Sequence, residues 1–175
     1  MSIFTRLARS IKKRIVVTKI HKIPVNVPVF FGELLKNRYA LITGGNSGIG
    51  FAMAEAFLRN GANVIISGRN EEKLQDSCNK LKNLATKSKI DFVLLDNNDM
   101  QSVKQGFQNA LKISQAKLDI LVNNAGIICG SFVHLCEIDF DKTMNTNLKS
   151  AYFLSQLFAT HIKAKHSGGG KCVTA

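Results

Sequence analysis

The sequence predicts an α/β protein built on a doubly wound parallel sheet, and three observations carry that prediction. From Tyr39 to the C-terminus, short apolar runs alternate with longer segments of helical period. The first two runs, Ala40-Leu41-Ile42 and Val64-Ile65-Ile66, are apolar at consecutive positions instead of at every second residue, as strands covered on both faces require. The first run, Ala40-Leu41-Ile42, feeds a glycine-rich turn that passes directly into a helix-period segment, giving YALITGGNSGIG over residues 39–50. Strands separated by helices of this length pair in parallel through right-handed crossovers.

The elements follow in order. Residues 39–43 form the first strand and 48–60 the first helix, which Asn60-Gly61 brings to a stop. NVIIS, residues 63–67, is a buried strand. A helix over 70–86 carries Leu74, Cys78, Leu81, Leu84 and Ala85, mostly three or four apart, with Asn70 as its N-cap. Residues 90–95 are the third strand, 99–115 the third helix with Asp99 as N-cap, and 118–122 the fourth strand. After a Gly-containing loop, one long helix is expected from about Glu137 to Lys165. His161, Lys163, Lys165 and His166 suit the negative end of its dipole, and Gly168-Gly169-Gly170 ends it. Lys171 to Ala175 opens a fifth strand.

With 175 residues and 45% hydrophobic content there is room for one domain with a sizeable core. No apolar stretch approaches the roughly 18–20 residues that a membrane span needs. The formal charge of +12 is unevenly placed: Arg6, Arg9, Lys12, Lys13, Arg14, Lys19 and Lys22 all precede the first acid, Glu33. Residues 1–32 therefore read as a basic extension and linker, and 33–175 as one α/β domain. Ile3, Phe4, Leu7, Ala8, Ile11 and Ile15 would share a ~140° arc of a helix. Such a start suits a cytoplasmic tail, a mitochondrial presequence, or weak contact of residues 1–20 with an anionic membrane. The modest charge of the body argues against a nucleic-acid partner. The four cysteines, Cys78, Cys129, Cys136 and Cys172, form no CxxC pair and have no histidines at metal-ligand spacing, so reduced and mostly buried thiols are expected, with no metal.

The chemistry starts at the turn. Its glycines are spaced Gly44-x-x-x-Gly48-x-Gly50, which is neither GxGxxG nor a Walker A loop, since no Lys-Ser/Thr follows. Gly44 and Gly48 let backbone approach a pyrophosphate, and Gly50 permits tight helix–strand packing. Asn46 and Ser47 add short polar groups for a phosphate or for the loop itself. A strand, tight turn and helix present unpaired N–H groups to an anion, although a purely structural turn has the same outline.

TGGNSGIG resembles the TGxxxGIG cofactor motif of the short-chain dehydrogenase/reductases, and three further features fall in that family's order. NNAG, Asn123-Asn124-Ala125-Gly126, ends the fourth strand; Asp96 ends the third; Asn147, in NTNLKS, lies on the long helix. The resemblance covers about residues 35–175. It implies a Rossmann-type fold and a cofactor site formed by Thr43, Gly44, Asn46, Ser47, Gly48, Ile49, Gly50, Asp96, Asn123, Ala125 and Gly126. By the same resemblance, Thr43 steadies the turn by hydrogen bonds to the region after the fourth strand, and Asp96 contacts adenine. Asn147 would be the catalytic asparagine, distorting its helix while its carbonyl holds a water in the proton relay. Ser150 stands where the family more often has Gly.

Which nicotinamide dinucleotide binds follows from charge. An NAD site places a carboxylate after the second strand for the ribose 2′-hydroxyl, whereas a 2′-phosphate needs a cation. Here Ser67-Gly68-Arg69 follows, with no acid before Glu71, so Arg69 can pair with a phosphate through its planar fork. NADP(H) is expected over NAD(H).

The family's catalytic Ser and Tyr-x-x-x-Lys are not found. Tyr39 is followed four places on by Thr43 and Tyr152 by Gln156, and the sequence ends at GGGKCVTA. The expectation is the cofactor half of a longer, NADP(H)-dependent oxidoreductase, with about five strands present, incomplete at the C-terminus and inactive by itself. The complete protein would exchange hydride between nicotinamide and an alcohol or carbonyl substrate, as a homo-oligomer. The other reading is a non-catalytic dinucleotide-binding module or inactive remnant.

Overall fold

The computed structural model describes residues 33–83, 88–165 and 171–174. The basic extension over 1–32, the helix positions Leu84 and Ala85, and the Gly168-Gly169-Gly170 stop lie outside the described residues.

Tyr39–Thr43 (β1) is the central strand of five. With Asn63–Gly68 (β2), Ile90–Leu94 (β3), Leu118–Asn123 (β4) and Lys171–Thr174 (β5), it forms a sheet in the order β3-β2-β1-β4-β5. Every pairing is parallel. The chain steps outward from β1 to β3 and then returns to the opposite side of β1 as β4. Strand order thus reverses between β1 and β4, and the carboxyl ends of these two strands flank the crevice such a reversal creates.

Alternation along the strands decides which helix covers which face. Ala40, Ile42, Val64 and Ile66 point to one side and meet Ala54 and Leu58 of helix Gly48–Arg59 (α1) and Leu74, Cys78 and Leu81 of helix Glu71–Lys82 (α2). Leu41, Ile65, Val93 and Leu121 point the other way. They pack on Val103, Phe107 and Ala110 of helix Met100–Ile113 (α3) and on Leu154 and Phe158 further along the chain. Phe107 and Phe158 are 2% exposed, and burying a side chain of that size contributes about 2–3 kcal/mol.

The expected caps form. Asn70 and Asp99 accept the amides of Lys73 and Gln101, each at 2.8 Å, which satisfies orphan donors at the starts of α2 and α3. Ser47 occupies the N-cap position of α1 but makes no side-chain cap bond.

The expectation of one uninterrupted helix over 137–165 is corrected. Glu137–Met144 (α4) and Ser150–Lys165 (α5) are joined by a π-turn over Asn145–Lys149. The amide of Ser150 bonds the carbonyl of Asn145, five residues back instead of four. π-turns within helices often accompany functional sites, and Asn147 is at the centre of this one.

Candidate functional site

The crevice at the carboxyl ends of β1, β2 and β4 holds a cleft of about 480 Å³, within the usual range for small-ligand sites. The turn after β1 is its floor. Gly44 and Gly48 adopt φ of +65° and +53°, a region costly for residues with a Cβ. A Cβ on Gly48 would meet no atom within 4 Å, so open space lies directly beside the backbone that starts α1. On Gly50 a Cβ would lie 2.5 Å from both Asn124 Nδ2 and the Gly44 carbonyl oxygen. Gly50 is therefore small for packing and Gly48 for conformation.

The turn is pinned to the end of β4. Thr43 Oγ1 accepts the amides of Asn124 and Ala125, both at 3.0 Å, and donates to the Val122 carbonyl at 3.3 Å. Asn124 Nδ2 returns a bond to the Thr43 carbonyl at 2.8 Å and another to that of Gly44 at 3.3 Å. Ser77 of α2 donates to the Asn46 carbonyl at 3.0 Å. Two neighbouring elements thus fix the curvature of one loop.

Of the residues singled out by sequence, Gly44, Asn46, Ser47, Gly48, Ile49, Arg69, Asp96, Ala125 and Gly126 line this cleft. Thr43 and Gly50 lie beneath it and shape it. Asn123 is placed elsewhere: 5% exposed, it gives its Nδ2 to Ser155 Oγ of α5 at 2.9 Å, and Asn124 is the NNAG asparagine at the cleft. Period-2 alternation explains the exchange, because consecutive residues of a strand face opposite ways. Asp96 uses Oδ1 to accept the Asn98 amide at 2.9 Å, which fixes its carboxylate at the cleft edge.

Asn147 sits just beyond the cleft lining. Its Oδ1 accepts the Ile127 amide and its Nδ2 donates to the Ile127 carbonyl, both at 2.8 Å. The side-chain amide thereby acts as one rung of a strand for the loop after β4, leaving the Asn147 main-chain carbonyl out of that pairing.

Lys73, Asn97 and Thr146 also line the cleft and escape sequence reading. Lys73 lies in the first turn of α2, whose start Asn70 marks in the sequence as N-cap. Asn97 had no signal beyond its place next to Asp96. Arg69 and Lys73 make one rim cationic, and Asp96 is the single acid among the lining residues.

The thiols divide by position. Cys78 is buried, and its thiol pKa is pushed up to about 11, first by desolvation and then by the charge of Asp91, with Lys82 opposing. Cys136 is exposed, against the expectation of mostly buried thiols, and donates to Asp139 Oδ2 at 3.2 Å. Among the described residues no group of three or more His, Cys, Asp or Glu could hold a metal, and no helix is long and apolar enough to cross a membrane.

A parallel sheet with a glycine cradle at its switch point defines a doubly wound protein of the nucleotide-binding type. A model for short chain dehydrogenases matches residues 38–174, and the chain belongs to that family of oxidoreductases. It is 38% identical over 123 residues to an uncharacterized oxidoreductase of Schizosaccharomyces pombe, covering 70% of this chain and 36% of that one. It is 37% identical over 135 residues to the 3-oxoacyl-[acyl-carrier-protein] reductase FabG of Chlamydia muridarum, covering 76% and 54%. A short chain dehydrogenase from Burkholderia cenocepacia, solved in complex with NADP, superposes with a TM-score of 0.71 at 32% identity, over 81% of this chain and 56% of that one. The chain spans about half the length, or less, of these relatives.

Proposed function

We propose that residues 33–175 form the cofactor-binding part of an NADP(H)-dependent oxidoreductase that interconverts an alcohol and a carbonyl compound. The observation that carries this reading is the charge of the cleft rim after β2: Arg69 and Lys73 line it and no carboxylate of that turn does. A 2′-phosphate would be matched there, and a bare ribose diol would lack its usual acidic partner.

The residues present fit the dinucleotide along its length. The open backbone at Gly48 and the amides of the first turn of α1 would take the pyrophosphate. Ser47, with no cap bond to make, can give its hydroxyl to the same phosphate. Asp96 would take the adenine amino group, and Ala125 and Gly126 would let the far half of the cofactor pass close to the end of β4. When bound, the nicotinamide supplies or accepts the hydride. Asn147 would hold a water of the proton relay on its main-chain carbonyl, its side chain being committed to Ile127. Residues 1–175 contain no Tyr-x-x-x-Lys, so the group that gives or takes the substrate proton is not assigned to any residue of this chain.

The same reading takes a small-molecule alcohol or carbonyl compound as substrate, a homo-oligomer as the complete assembly, and the cytoplasm as its compartment. The basic residues 1–32 would be a separate extension able to touch an anionic surface.

Titration of the chain with NADPH and with NADH, followed by nucleotide fluorescence, tests the proposal. NADPH should bind more tightly by roughly tenfold or more. Equal affinities would remove the 2′-phosphate site, and binding of neither would remove the dinucleotide reading.

A further inference from the structure

We propose that Asn97 and Ser150 position the π-turn that carries Asn147 and couple it to the adenine edge of the cleft. This rests on the reading of Asn147 as a site residue and goes beyond it, since neither Asn97 nor Ser150 belongs to the glycine turn or to NNAG.

The π-turn creates the need. In an α-ladder the amide of Ser150 would bond the carbonyl of Thr146, four residues back. It bonds Asn145 instead, which takes that amide away from Thr146. The Ser150 side chain replaces it: Oγ donates to the Thr146 carbonyl at 3.1 Å. The same Oγ accepts Asn97 Nδ2 at 2.6 Å. Ser150 is 0% exposed, Thr146 7% and Asn97 8%, so water does not compete freely for these groups. Glycine at position 150 could not make either bond.

Both ends of this chain of hydrogen bonds reach the cleft. Asn97 follows Asp96, and both line it, as does Thr146, the residue before Asn147. From Asn147 the side-chain amide continues to Ile127, another lining residue. Movement of the Asp96–Asn97 loop on a bound adenine would therefore be passed through Ser150 to the turn that aims Asn147.

Residue-resolved hydrogen exchange on the full chain tests this, with 2′,5′-ADP as a probe of the adenosine end alone. Ser150→Ala should speed exchange of the Ile127 amide and those of residues 145–151 by roughly three- to tenfold, leaving β1 and β2 unchanged. In the unaltered chain, saturating 2′,5′-ADP should slow the same amides. Asn97→Leu, or Asn97→Ser if the first does not fold, should abolish that slowing when each chain is compared at its own saturation. The double variant should lose no more than Ser150→Ala alone. Unchanged exchange at 145–151 in Ser150→Ala, or retained ligand-induced slowing without Asn97, would overturn the proposal. If 2′,5′-ADP fails to bind the unaltered chain, the 2′-phosphate reading falls, and the Ser150→Ala comparison still decides the positioning role.

Discussion

Thr43 and Asn124 hold each other by two hydrogen bonds, the Asn124 amide to Thr43 Oγ1 at 3.0 Å and Asn124 Nδ2 to the Thr43 carbonyl at 2.8 Å, and the same threonine hydroxyl also accepts the Ala125 amide at 3.0 Å. They join the ends of β1 and β4, the two strands between which the sheet changes direction. Thr43→Val keeps the shape of the side chain and removes the shared acceptor, leaving two backbone donors without it. The expected loss is about 2 kcal/mol in unfolding free energy, read from urea denaturation, with weaker dinucleotide binding. Thr43→Ser should recover most of both. A valine variant as stable as the parent would show that water replaces the hydroxyl at no cost.

Two glycines of one turn should fail in different ways. At Gly50 an added methyl collides with Asn124 and with the Gly44 backbone, so Gly50→Ala should destabilise the fold by about 1–3 kcal/mol despite alanine's better helix propensity. At Gly48 the methyl meets no atom within 4 Å, and the cost is the backbone at φ +53°, about 1–2 kcal/mol. Gly48→Ala should lose dinucleotide affinity out of proportion to its loss of stability, because the methyl enters the space proposed for the pyrophosphate. Paired thermal melts and NADPH titrations separate the two, and matching losses for both variants would contradict the assignment.

Charge reversal at the cleft rim should change which cofactor is preferred. Arg69→Glu should weaken NADPH by roughly tenfold or more while leaving NADH within a few-fold. Lys73→Glu should act in the same direction. Raising ionic strength should erode the NADPH preference of the unaltered chain more than its NADH affinity, since both rim cations are solvent-facing. A reversal variant that lost both cofactors equally would point to collapse of the rim instead of a 2′-phosphate contact.

The sheet, its caps and the glycine cradle were legible because each has a local physical cause. Asn70 and Asp99 cap helices through their own short side chains, and Ala40-Leu41-Ile42 can be covered on both faces only as a central strand. The π-turn was not legible from periodicity, since α4 and α5 continue one another and the break lies in a single hydrogen-bond step. Resemblance alone pointed to a distortion at Asn147. NNAG alone does not tell Asn123 from Asn124 as the cleft residue; only strand alternation in three dimensions separates them. Asn97 was silent for another reason: its partner Ser150 is 53 residues away, and no local pattern links a loop asparagine to the first residue of a distant helix.

Cys78 provides a test of the core by pH. Its thiol is buried and its pKa is raised from 9.0 to about 11, by burial first and by Asp91 second. In the unfolded chain the thiol ionises near 9.0 while the folded protein still holds the proton, so the native state binds more protons between these values. Stability is therefore full below pH 9 and falls as pH rises from about 9 to 11, by up to about 2 kcal/mol from this group. Other groups titrate in the same range, so the informative quantity is the difference between the parent and Cys78→Ala. The alanine variant should be less stable at pH 8, because a small cavity opens against Leu74 and Leu81. The gap should narrow by pH 10.5, where only the parent pays for keeping its thiol neutral. Urea unfolding of both chains at the two pH values measures it, and a gap that stays constant or widens would mean the thiol is not held neutral by the core.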